Sequence, residues 1–178
     1  MGEILICDRL VQLIDPDQFR SGCVEYGATD NYAFENHLYE YETRNWKVLC
    51  LQPDEEEFIK LRLYRRLAKL IDCEKKDGVT IDGFLERTNV TEVKILLIKN
   101  VEFPSRVLSG FNSSRWGTEI ISVQFPNSFE KEEGEKILRQ NGFKHFEKVT
   151  VSDFYVKPGT MFKGEIKEKF HSGNLFDV

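Results

Sequence analysis

The six residues Val93–Ile98, Val-Lys-Ile-Leu-Leu-Ile, constrain the fold more than any other stretch of this chain. The run has the length of a strand, and it is too apolar for a strand with one face in water. It reads as a central strand buried on both faces, which needs other strands beside it and helices above and below. The residues after it support a layered unit. Pro104 and Ser105 open a helical turn through Val107 and Leu108. Residues 118–125 are a strand by their β-branched content. Ser128 caps a helix over residues 129–140, closed by Asn141-Gly142, and strand-like runs occupy 146–151 and 154–156.

A second strong signal begins at Pro53. Proline suits the first helical position, and Asp54, Glu55, Glu56 and Glu57 suit the positive end of the helix dipole. Phe58, Leu61, Tyr64, Leu67, Ala68 and Ile71 recur at helical spacing, which predicts one long amphipathic helix over about 53–74. Thr80 caps a shorter helix over about 81–88. Residues 20–31, with Ser21, Gly22, Gly27, Asp30 and Asn31, read as a loop. The period-2 pattern of residues 39–42 and the strand formers of 46–51 predict a β-hairpin. The expected fold class is α+β: one domain spanning 1–178, a mixed β-sheet packed by helices, and a mostly polar tail from about 164.

At 178 residues with a 40% hydrophobic share, the chain has material for a sizeable core without disulfides or a structural metal. Charged residues make up 31%, with both signs interspersed, which excludes a disordered chain. Cys7, Cys23, Cys50 and Cys73 form no Cys-x-x-Cys pair, so neither a zinc cage nor a redox motif is expected. The opening Met1-Gly2-Glu3 lacks the basic start of a secretory signal, and reduced thiols in the cytoplasm are expected. No stretch is long and apolar enough to span a bilayer.

The chemistry-bearing residues do not assemble into a catalytic signature. Asp8 ends the apolar run 4–7, and this opening resembles that of PIN-type nucleases, which implies a metal-dependent hydrolase built on Asp8 and further acids. His37, His145 and His171 share no ligand spacing, and Cys23 with His145 is the one nucleophile pair worth weighing. Arg62, Arg65, Arg66 and Lys69 place a basic stripe on the Pro53 helix, the basis of a third reading as a nucleic-acid-associated domain. No glycine-rich phosphate loop is present. No cofactor, metal or catalytic residue is expected.

Two surfaces look like recognition material. Glu35, Tyr39, Glu40, Tyr41, Glu42 and Trp46 mix rings with acids, and Phe111, Arg115 and Trp116 gather anchor-type residues on one loop. With a formal charge of −5, the sequence favours a non-enzymatic, cytoplasmic protein-binding domain. Its most concrete form is an acidic inhibitor or immunity-type protein masking a basic toxin or enzyme domain, with nucleic acid and membrane not expected as partners.

Overall fold

A computed structural model of the chain describes residues 22–28, 47–64, 69–72, 80–88 and 90–158. Within them run β1 (Gly22–Tyr26), β2 (Lys47–Gln52), α1 (Glu55–Tyr64), β3 (Lys69–Asp72), α2 (Ile81–Leu85) and β4 (Val93–Ile98). After these come α3 (Pro104–Ser109), β5 (Ile120–Gln124), α4 (Ser128–Gln140), β6 (Lys144–Val149) and β7 (Ser152–Val156).

The strands form one sheet in the order β3-β2-β1-β4-β5-β7-β6. β3, β2, β1, β4 and β5 are mutually parallel, and β7 runs antiparallel between β5 and β6. This is a doubly wound α/β sheet, and it corrects the expected α+β class. Chain order runs outward from β1 through β2 to β3, then returns to β1's other side with β4. A reversal of that kind is a topological switch point.

β4 takes the central place that its composition demands. Val93, Ile95, Leu96, Leu97 and Ile98 are all buried, and fully burying each such side chain stabilises by about 1.5–3 kcal/mol. Val93, Leu96 and Ile98 join a main core that includes Val24, Leu49, Leu51, Ile121, Val123, Leu138, Phe143 and Tyr155.

Several expectations about the first half are overturned. The helix is described over Glu55–Tyr64, and it cannot run to about 74, because Lys69–Asp72 forms β3 beside β2. Short apolar runs satisfy helical and strand patterns alike, and the open edge of β2 decides for the strand. The basic stripe therefore does not lie on one helix, because Lys69 belongs to β3 while Arg62 belongs to α1. The hairpin is corrected for its second half: β2 has β1 on one side and β3 on the other, both parallel, while residues 39–42 lie outside the described residues. Finally, part of the loop expected over 20–31 is β1, whose Glu25 disguises a buried strand.

Helix ends are closer to expectation. Thr80 Oγ1 accepts from the Gly83 N–H at 3.2 Å to cap α2. Asp54, one residue after Pro53, caps α1 by accepting from the Glu57 N–H at 3.0 Å. Asn127 rather than Ser128 caps α4, its side-chain oxygen accepting from the Glu130 N–H at 2.9 Å. Gly142, at φ +82°, takes the left-handed turn after α4. No helix among the described residues is long and apolar enough to cross a membrane.

Candidate functional site

In open α/β sheets the ligand crevice lies outside the carboxyl ends of the strands at the switch point. Here that is the end of β1 and β4, flanked by the end of β2. Three backbone features shape it. Gly27 follows β1 at φ +76°, and a Cβ there would overlap the Lys99 carbonyl oxygen, so only glycine fits between the two strand ends. The Gly27 N–H donates to the Leu51 carbonyl at 2.9 Å, and the Lys99 N–H donates to the Tyr26 carbonyl at 2.9 Å. Asn100, exposed just past β4, holds φ 50°, a conformation asparagine tolerates better than most residues.

Gln52 closes β2 and is 4% exposed. Its Nε2 donates to the Ala28 carbonyl, and its Oε1 accepts from the Asp54 N–H at 2.9 Å. One side chain thus fastens the turn after β1 to the start of α1. An amide oxygen has two lone pairs, so Oε1 can accept one further hydrogen bond.

Beneath the crevice lies a buried ion pair. Lys99 Nζ is 3.7 Å from Glu25 Oε1, and both side chains are almost fully enclosed. The Cys50 thiol approaches Glu25 Oε2 at 3.9 Å. Neither charge could be left in this interior without an opposite partner.

None of the described residues singled out from the sequence lies at this crevice. Glu35, Tyr39, Glu40, Tyr41, Glu42 and Trp46 lie outside the described residues, as do Asp8, His37 and His171. Phe111 and Trp116 are buried, at 5% and 6% exposure. The Trp116 indole N–H donates to Asp82 Oδ1 at 2.8 Å, while Arg115 stays exposed, stacks over the Trp116 ring and pairs with Glu86. The loop read as exposed instead turns its large rings into the core. Cys23 is buried on β1, whereas His145 lies on β6, where it meets Asp153 at 3.0 Å. Three strands separate β1 from β6 in the sheet, so the two make no nucleophile pair. Among the described residues no three of His, Cys, Asp and Glu converge as metal ligands.

No family model matches the chain, and no curated protein matches its sequence. Solved structures do match its coordinates. A TDP-rhamnose 3'-O-methyltransferase of calicheamicin biosynthesis superposes with a TM-score of 0.58 at 11% identity, over 89% of this chain and 80% of that one. The delta-N METTL16 methyltransferase domain gives 0.56 at 12% identity, over 88% and 81%. The precorrin-6y C5,15-methyltransferase of Geobacter metallireducens GS-15 gives 0.53 at 9% identity, over 87% and 86%.

The fold is one that methyltransferases use. That finding displaces the acidic inhibitor or immunity-type protein expected from composition, and equally the hydrolase built on Asp8. Sequence reasoning missed Gly27, Gln52 and Asn100 as a group. The signal that could have found them is a glycine directly after a short apolar segment, together with a polar residue closing each of two further apolar runs.

Proposed function

We propose that this chain is an S-adenosylmethionine-dependent methyltransferase. The observation that carries the reading is the switch point between β1 and β4 in a sheet whose β7 is inserted antiparallel, an arrangement paired with superposition on three distinct methyltransferases.

The described residues fit an adenosyl cofactor through neutral groups. The backbone of Gly27 and Ala28 would lie under it, and the free lone pair of Gln52 Oε1 would accept from a ribose hydroxyl. Dinucleotide-binding proteins of this architecture use a carboxylate for that hydroxyl. A neutral amide gives a weaker, uncharged contact there. Asn100 would border the cofactor on the β4 side. When bound, the cofactor would supply an electrophilic sulfonium methyl group for an acceptor's nucleophile, with S-adenosylhomocysteine as the leaving group and the acceptor's proton passing to water. The chain's own contribution is placement: the clipped turn and the Glu25–Lys99 pair fix the strand ends before any ligand arrives.

Isothermal titration of the full chain with S-adenosylmethionine and S-adenosylhomocysteine tests this. A dissociation constant of about 1–100 μM for either is expected, corresponding to roughly −8 to −5 kcal/mol. No heat and no thermal shift from about 1 mM of either compound would overturn it.

A further inference from the structure

Four large apolar side chains stand exposed among the described residues, and three of them, Phe103, Phe129 and Val151, occupy one end of the sheet. Phe103 follows β4 and precedes α3. Phe129 is the second residue of α4, just beyond β5. Val151 lies in the turn between β6 and β7, and the pairing of Gln124 with Ser152 sets that turn beside the carboxyl end of β5. Their exposures are 51%, 68% and 58%. Rings and branched side chains held in water at this level are unfavourable, and gathering them at one rim marks a binding surface.

The rim is held in place. The Ser105 N–H donates to Glu130 Oε2 at 3.0 Å, joining the first turn of α3 to the first turn of α4. Glu130 is 5% exposed, so this link is enclosed, and it ties together the segments that bear Phe103 and Phe129. Gly134 lets the α4 backbone approach the Phe125 ring and Leu108 of α3. The rim therefore stands beyond β4 and β5, on the other side of the switch point from Gly27 and Gln52.

Resting on the proposed function, which gives the β1–β2 half of the crevice to the cofactor, we infer that Phe103, Phe129 and Val151 form the acceptor-binding rim and select an uncharged, ring-bearing small molecule. Charge argues for that class over a nucleic acid. Of the described cations near the rim, Lys99 is paired with Glu25, Lys131 is held by Asp153 at 2.8 Å, and exposed Lys148 stands opposite Asp153 across the β6–β7 pair. Exposed Arg106 has exposed Glu102 one turn before it, and the whole chain carries −5. A polyanion requires several free cations to replace its counterions. A neutral ring needs only apolar surface of the kind that Phe103 and Phe129 offer.

The probe is 2-naphthol, planar and uncharged at neutral pH, titrated into the full chain with and without S-adenosylhomocysteine. Phe103→Ser combined with Phe129→Ser should weaken 2-naphthol about tenfold. Ile59→Ser, at the fourth exposed apolar side chain, on α1, should not change it. All variants should bind S-adenosylhomocysteine as the parent does and keep its melting temperature, since exposed side chains are replaced. Failure of the parent to bind 2-naphthol, equal binding by the double variant, or equal weakening by Ile59→Ser would each overturn the inference. So would single-stranded RNA or anionic vesicles whose binding disappears in the double variant. If the parent takes 2-naphthol but no S-adenosylhomocysteine, the proposed function fails while the rim stands.

Discussion

Lys99 Nζ lies 3.7 Å from a Glu25 carboxylate oxygen, joining the ends of the two strands between which the chain reverses direction across the sheet. Each charge helps the interior hold the other. Lys99→Met should cost up to about 3–5 kcal/mol, the range for removing one member of a buried ion pair. Glu25→Leu with Lys99→Met should recover most of that loss. Urea unfolding of both single variants and the double checks this, and additive losses would contradict it.

Gln52 makes a different demand. The Ala28 carbonyl receives the Gln52 amide N–H, which a carboxylate cannot supply. Gln52→Glu should therefore lower stability by about 1–3 kcal/mol, although it restores the residue type that dinucleotide sites use at this strand end. Chemical denaturation beside cofactor titration separates the two effects. A stabilised Gln52→Glu would show that the clip carries little.

In an exposed helix interior, Gly→Ala is favourable by about 1 kcal/mol. At Gly134 the sign should reverse, because an added Cβ would overlap the Phe125 ring, itself set edge-on to Tyr155. Gly134→Ala should destabilise by about 1–3 kcal/mol. Adding Phe125→Leu should return part of it, as thermal melting of the two variants would show.

Burial, then the charges of Asp153 and Glu135, push the Tyr155 hydroxyl well above its ordinary pKa of about 10. Tyr155 also donates to Glu135 at 3.2 Å. The unfolded chain gives up this proton from about pH 10 upward while the folded chain keeps it. Fewer protons bound on unfolding means that stability falls as pH rises, by up to about 1.4 kcal/mol per pH unit from this one group. Between about pH 9 and 11, the window set by the unfolded tyrosine's pKa, Tyr155→Phe should lose less stability than the parent in urea unfolding. Parallel pH profiles would remove the assignment.

Asp82 accepts from both the Trp116 indole and the Asn112 backbone N–H, the latter at 3.0 Å. Asp82→Ala leaves the enclosed Trp116 indole N–H without its acceptor and should cost about 1–3 kcal/mol. Part of the Trp116 fluorescence should move to longer wavelength as water reaches the ring. An unchanged spectrum would place the indole's stability elsewhere.

The second half of the fold is legible in the sequence because its signals agree with one another. β4 has no polar face to hide, and α4 carries a cap, an amphipathic face and a terminal Asn-Gly. Local pattern and burial give one answer there. The first half is obscured for particular reasons. Glu25 makes β1 look polar until Lys99, far along the chain, is placed against it. Leu70 and Ile71 fit a helix continuing from α1 as well as they fit β3, and only β2's unpaired edge distinguishes them. At the crevice, Gly27 stands without the repeated glycines that mark phosphate loops. Gln52 matters through a carbonyl 24 residues earlier, a relation no local pattern encodes. Phe111, Arg115 and Trp116 read as a recognition surface because ring content alone does not show which way a loop faces.

Cys23 on β1 pairs with Ile95 on β4. The two lie about 70 positions apart, and such distant pairing is slow to close. As the chain leaves the ribosome, β1 can find β2 early, but its other edge stays open until β4 has emerged. During that interval a row of backbone donors and acceptors on an apolar strand is available to any other chain nearby. Synthesis of this protein therefore passes through a vulnerable stretch that ends only when Val93 and its neighbours arrive to cover that edge.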